Sequence, residues 1–173
     1  MAKLWRCEIC GDPYIGDSAP ANCPFCGAKH KFIKEFKDAK AEFDVQLNEK
    51  DLANVKHALE VEVSNAAFYF CAAAKVNDAE GQKLFKALAK VEAEHANIWK
   101  KILKLDTMPQ ADDKCTEDYP ADLQESHDRE TRAIEFYKTA AKESENARVK
   151  QIFEALVEVE TDHLHLSGER GAK

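Results

Sequence analysis

The sequence predicts a mainly α protein, a four-helix bundle preceded by a small metal-knuckle domain. Three observations predict it. Two Cys-x-x-Cys pairs sit in a turn-rich N-terminal stretch, the remainder has helical periodicity, and that remainder repeats itself with an offset of 68 residues. The 173 residues are 45% hydrophobic and 33% charged, ordinary for a folded chain with a buried core.

The knuckle comes first. Residues 1–37 hold three of the five prolines and three glycines, Gly11, Gly16 and Gly27. They read Cys7-Glu-Ile-Cys10-Gly11 and then, after twelve residues, Cys23-Pro-Phe-Cys26-Gly27. A glycine after each pair lets backbone amides approach the sulfurs. Four thiolates so spaced form a tetrahedral site for zinc or a single iron. Six cysteines could make three disulfides, but two tight pairs in a reducing compartment favour metal. Cys71 and Cys115 have no evident partners, and Cys71 reads as a small buried apolar residue.

Residues 38–49 read as a polar linker and residues 50–168 as the bundle. Helix A is expected over 50–76 with Asn48 as its cap, helix B over 81–105, helix C over 121–144 and helix D over 147–166. Their inward stripes contain ionisable residues: Glu62 beside Leu59 and Ala66, His95 beside Val91 and Ile98, Glu130 beside Ile134, and His163 beside Val159. About 15 extended residues between B and C reach roughly 50 Å, enough to cross a bundle of about 36 Å.

The repeat selects the chemistry. Offset by 68, Glu62 falls on Glu130, Tyr69 on Tyr137, Phe85 on Phe153, Glu92 on Glu160 and His95 on His163. Each half thus supplies one lone glutamate and one Glu-x-x-His, whose spacing of three puts both side chains on one helix face. One such motif on a charged helix is often chance. Two, each 30 residues after an inward glutamate, are not. Four carboxylates and two imidazoles in a core would repel and be desolvated, whereas two divalent cations cancel them. The ligand set suits iron or manganese and would accept zinc. Tyr69 and Tyr137, two turns after the lone glutamates, read as core aromatics near the metals. Glu94 and Asp162 face outward or support the ligands. His127, one turn before Glu130, reads as a buried histidine or as an additional ligand or proton donor.

Charge excludes some partners. Residues 1–37 carry six Lys/Arg against four Asp/Glu, the remainder 19 against 28, so the net −7 is +2 and −9. An acidic bulk does not suit nucleic acid or an anionic membrane. The longest apolar run, Ala66 to Ala74, is too short to span a bilayer. With no visible leader before Cys7, the expected location is cytoplasmic.

The segment from Trp5 to Phe32, with CEICG and YIGDSAPANCPFCG, resembles the rubredoxin domain of rubrerythrins, and the bundle resembles their ferritin-like diiron domain. Together they cover nearly the whole chain. The rubredoxin precedes the bundle, an order similar to that of reverse rubrerythrins. The resemblance implies a non-haem diiron oxidoreductase that reduces hydrogen peroxide, or dioxygen, to water. Electrons would come from an NAD(P)H-dependent reductase through the rubredoxin iron. Cys7, Cys10, Cys23 and Cys26 would hold that iron. Glu62, Glu92, His95, Glu130, Glu160 and His163 would hold the diiron pair, with Glu92 and Glu160 bridging. It further implies a homodimer that brings one chain's rubredoxin to the partner's diiron site. Two departures stand out: Ala133 occupies the position of the family's additional glutamate, and the interval from lone Glu to Glu-x-x-His is about one helical turn shorter. The rival readings are an iron-oxidising, iron-handling ferritin relative and a non-enzymatic zinc-knuckle bundle.

Overall fold

The computed structural model describes all 173 residues. The N-terminal part is a three-stranded antiparallel sheet of β1 (Lys3–Cys7), β2 (Pro13–Gly16) and β3 (Ile33–Glu35), in the order β2-β1-β3. Trp5 pairs with Tyr14 on one side and Glu35 on the other, so β1 delivers Cys7 at the end of the central strand.

Four helices follow: α1 (Glu49–Lys75), α2 (Ala79–Leu103), α3 (Tyr119–Glu143) and α4 (Ala147–Gly168). Each begins at a side-chain cap, as orphaned N-terminal amides require. Asn48 accepts from the Asp51 amide, Asp78 from Gly81, Asp118 from Ala121, and Asn146 from Arg148 and Val149. Helices α2 and α3 start two residues before the expected positions, because Asp78 and Asp118 cap ahead of the first apolar residues. Along the stripes, Ser167 rather than Leu166 is buried at the end of α4.

Packing is closest within the two hairpins, α1 on α2 and α3 on α4, while α1 and α3 meet more sparsely. Residues 104–118 cross the length of the bundle. They run from beside Leu52 and Lys56, near the start of α1, to Ala67 and Cys71 farther along it. The crossing ends where Tyr119 lies against Gly81, so closely that a Cβ there would sit 2.5 Å from the ring. The starts of α2 and α3 are therefore neighbours, as a ferritin-like topology needs.

Two expectations are corrected here. Cys71 and Cys115 form a disulfide that fastens the crossover to α1, and Cys71 is half-buried rather than a core residue. The polar linker is a packed strap: Phe43, Val45 and Leu47 lie against the core, and Phe43 lies between Lys101 and Arg148. Consequently the four knuckle cysteines share one hydrophobic cluster with Val55, Trp99 and Phe153 of the bundle. No helix is long and apolar enough to cross a membrane.

Candidate metal centres

The knuckle gathers its four sulfurs at the end of the sheet. Cys7 and Cys26 lie 3.7 Å apart and Cys10 and Cys23 3.8 Å apart, Sγ to Sγ. A tetrahedron with metal–sulfur bonds of about 2.3 Å has edges of about 3.8 Å, so the cradle already has the size of one ion. Gly11 and Gly27 adopt the left-handed region, φ +86 and +73, and their amides donate to the carbonyls of Cys7 and Cys23. The next amide, Asp12, approaches the Cys10 sulfur at 3.4 Å. Hydrogen bonds from its neighbours push the Cys7 thiol far below its ordinary range, while Cys10, as donor among them, is pushed far above it. Without a cation the four thiols cannot ionise together.

In the bundle, the duplicated glutamates and histidines come together from all four helices. Glu62, Glu92, His95, Glu130 and Glu160 are fully buried and His163 is 6% exposed. They form two overlapping clusters, one of Glu62, Glu92, His95 and Glu160, the other of Glu92, Glu130, Glu160 and His163. Glu92 and Glu160 belong to both. Nδ1 of His95 lies 3.0 Å from Glu160 and 3.6 Å from Glu62, and Nδ1 of His163 lies 2.8 Å from Glu160 and 3.1 Å from Glu92. The two rings are nearly parallel, 6.3 Å apart.

These atoms point at one another without hydrogen-bond geometry. Both Nδ1 atoms, both oxygens of Glu92 and of Glu160, and Oε2 of Glu62 and of Glu130 have no partner. Native interiors leave few polar atoms unpaired, and eight at one focus are the ligand faces of a site for cations. Burial drives the carboxyls of Glu62 and Glu130 well above their usual range. Burial also acts on Glu92, but the pull of the facing imidazoles of His163 and His95 outweighs it and holds this carboxyl down. Burial alone would lower both histidines, yet the facing carboxylates, Glu160 foremost, raise them. Four carboxyls share too little positive charge, and two divalent ions would supply the missing +4.

Neighbouring residues hold the ligand faces in place. Tyr69, on α1, donates to Glu130 on α3, and Tyr137, on α3, donates to Glu62 on α1. The two tyrosines therefore bind the lone glutamates crosswise, each half orienting the other's ligand. His127 stands outside the clusters, with Nδ1 2.9 Å from Ser167 Oγ.

Glu94 and Asp162 face the knuckle. Asp162 pairs with Lys29, and Glu158 one turn earlier pairs with Lys31. Burial raises Glu94 to about 7 against the pull of Lys101, 3.5 Å away. Glu94, Asp12 and Cys10 form a third acidic group, but Lys101 stands 3.7 Å from Asp12 and donates to the Cys10 carbonyl, so a cation is already in place. Arg148 donates to the carbonyls of Glu8 and Ile9. Gly27 meets Val159 on α4, where a Cβ would come within 2.8 Å.

One link joins the centres themselves. His95 Nε2 lies 2.9 Å from the Cys26 carbonyl, a contact that fixes the proton on Nε2 and leaves Nδ1 free for metal. Within the chain, the knuckle reaches the paired site through this contact. Sequence spacing carries no signal for this contact, because it depends on how the 36–48 strap folds back.

The family description "Rubrerythrin, rubredoxin-like domain" matches residues 5–33, and "Rubrerythrin" matches residues 53–167. Reverse rubrerythrin-1 of Clostridium acetobutylicum is 29% identical over 113 residues, a match covering 58% of this chain and 62% of that protein. No solved structure matches. Both clusters lie inside the matched regions, each thiolate and carboxylate group within its own, and the chain belongs to the rubrerythrin family.

Proposed function

We propose that the protein reduces hydrogen peroxide to water at the paired site, by H2O2 + 2 e⁻ + 2 H⁺ → 2 H2O. An NAD(P)H-dependent reductase supplies the electrons through the knuckle. In this reading Cys7, Cys10, Cys23 and Cys26 hold one iron. Glu62, Glu92, His95, Glu130, Glu160 and His163 would hold two, with Glu92 and Glu160 shared between them. Iron bound there supplies one-electron steps and the Lewis acidity that assists O–O cleavage; a redox-inert zinc in the knuckle would pass no electron.

One observation carries the proposal, the hydrogen bond from His95 to the Cys26 carbonyl. From the Cys26 sulfur, covalent bonds lead to that carbonyl, one hydrogen bond leads to the imidazole, and Nδ1 faces the second centre. An iron-storage protein or a scaffold has no need of such a connection. Around the site, burial keeps bulk water from the reacting atoms. Burial beside Glu130 and Glu62 raises Tyr69 and Tyr137 well above their usual range, so both keep their protons and stay donors to the glutamates. Ser126 Oγ, 2.9 Å from the Tyr69 hydroxyl, extends that line of exchangeable protons by one group. A cytoplasmic setting belongs to the same proposal, and there the Cys71–Cys115 bridge would be subject to reduction.

The test is anaerobic reduction of the iron-loaded protein, then mixing with stoichiometric peroxide or dioxygen. Peroxide is expected to reoxidise the bundle iron first and the knuckle iron after it, with dioxygen slower. Absence of reaction with both oxidants ends the enzymatic reading, and faster reaction with dioxygen makes that the substrate.

A further inference from the structure

A collar of cations surrounds the first knuckle turn. Each carbonyl from Glu8 to Gly11 accepts a hydrogen bond from a basic side chain: Glu8 and Ile9 from Arg148, Cys10 from Lys101, and Gly11 from Arg6. The second turn is held differently, with the Cys26 carbonyl against His95 and the Gly27 carbonyl against the Asn22 amide.

Within the collar, Arg148 has no counter-ion of its own. It is half-buried and stands at the second position of α4, where the helix dipole disfavours a cation. The first turn of α4 holds no acidic residue. Its side-chain hydrogen bonds all end on neutral oxygens: the carbonyls of Glu8, Ile9 and Glu42, and Oε1 of Gln151 at 2.7 Å. The Phe43 ring covers it, 5.5 Å from the guanidinium carbon. Lys101, by contrast, has Glu94 at 3.5 Å and Asp12 at 3.7 Å. A charge withdrawn from water and left without a partner is costly. Burial accordingly pushes the Arg148 pKa down, and the charge that opposes this most is Cys7, ahead of Glu8 and Glu42.

Four thiolates around one iron leave one net negative charge in the ferric state and two in the ferrous state. A fixed cation beside the turn therefore stabilises the reduced state more than the oxidised one. We propose that Arg148 is the counter-charge of the knuckle iron and raises its reduction potential, so that the relay stands loaded with an electron. The inference rests on iron in the knuckle and not on peroxide as the substrate. Arg148 donates to the backbone of the turn, not to a sulfur, so it is a tuning residue that acts through its charge.

The test is a redox titration of the knuckle iron in the full iron-loaded chain, followed by its visible absorption with no peroxide or dioxygen present. Arg148→Gln removes the charge. It is expected to shift the ferric–ferrous balance about tenfold toward ferric, a fall of about 59 mV for one electron. Gln151→Glu keeps Arg148 and its contacts but supplies the missing carboxylate, and should lower the potential by a similar amount. Arg148→Lys keeps the charge while losing the fork that ties the strap to the turn, and should stay near the parent value. Lys150→Gln, at an exposed neighbour on α4, removes a charge that water and salt screen, and should shift far less. An unchanged potential in both Arg148→Gln and Gln151→Glu overturns the proposal. So does an equal fall in Arg148→Gln and Arg148→Lys with none in Gln151→Glu, because the role is then structural, and so does an equal fall in Lys150→Gln. If Arg148→Gln takes up no iron, Gln151→Glu decides by itself. Because no oxidant takes part, a protein that ignores peroxide still shows these shifts, and the two readings fail separately.

Discussion

Gly27 shows how one residue can serve both centres. Its left-handed backbone, φ +73, closes the second knuckle turn, and its missing side chain lets that turn rest on Val159, next to Glu160. Gly27→Ala meets both requirements badly. The backbone term alone costs about 1–2 kcal/mol, and the Val159 contact forces the knuckle away from α4. Denaturant unfolding should show the loss. Rapid mixing with peroxide should show slower reoxidation of the knuckle iron, whereas the initial reaction of the bundle iron keeps its rate. Equal slowing of both would mean that the knuckle's seat has no part in relay. The glycine itself was legible from the Cys-x-x-Cys-Gly pattern; its contact with Val159, across more than 130 residues, was not. The same division holds for Tyr69 and Tyr137. Their helical face follows from the seven-residue step after Glu62 and Glu130, but their crosswise bonds depend on how the hairpins are set against each other.

Among the elements, the 104–118 crossover is the one least defined by its own backbone, since it has no helix or strand and relies on side chains. Its fastenings include the Cys71–Cys115 bridge, Asp113 paired with Ser64 and Arg129, and Thr116 donating to Asp122. The bridge closes a separation of 44 residues, for which loop entropy gives about 4 kcal/mol. Cys115→Ala is therefore expected to lower the unfolding free energy by roughly 2–4 kcal/mol under oxidising conditions and to change nothing under reducing ones. Equal stability in both conditions would show that the bridge does not form in solution. Asp113 is a pH-dependent fastening. Burial works against its charged form, but hydrogen bonds from Ser64 and Arg129 outweigh this and set its pKa below the ordinary 3.8. A depressed carboxyl contributes stability that is present above the unfolded value and lost as pH falls through the folded one. Amide exchange along the crossover should accordingly accelerate below about pH 4, and Asp113→Asn should remove that acid step. Helix positions, by contrast, were readable within a turn, because apolar periodicity and the caps Asn48 and Asn146 are local signals. The bridge was not, because Cys115 lies in a segment with no periodic pattern that would place it beside α1.

For the whole molecule, the strap of residues 36–48 decides more than its polar composition suggests. Phe43 fills the space beside Gly11, Arg148 donates to the Glu42 carbonyl, and Asn146 donates to that of Gln46. Folded back in this way, the strap leaves the knuckle resting on α2 and α4 of its own bundle, with His95 against Cys26. Under the proposed relay, a contact closed inside one polypeptide would make electron transfer a first-order process, indifferent to dilution. It also forbids complementation: mixing chains that lack a working knuckle, such as Cys10→Ser, with chains that lack a working bundle, such as Glu92→Ala, should restore no turnover. Recovery of activity in that mixture would instead mean that electrons cross between molecules. Under that relay each chain would be a self-sufficient circuit, its output scaling with the number of molecules rather than with how often they meet.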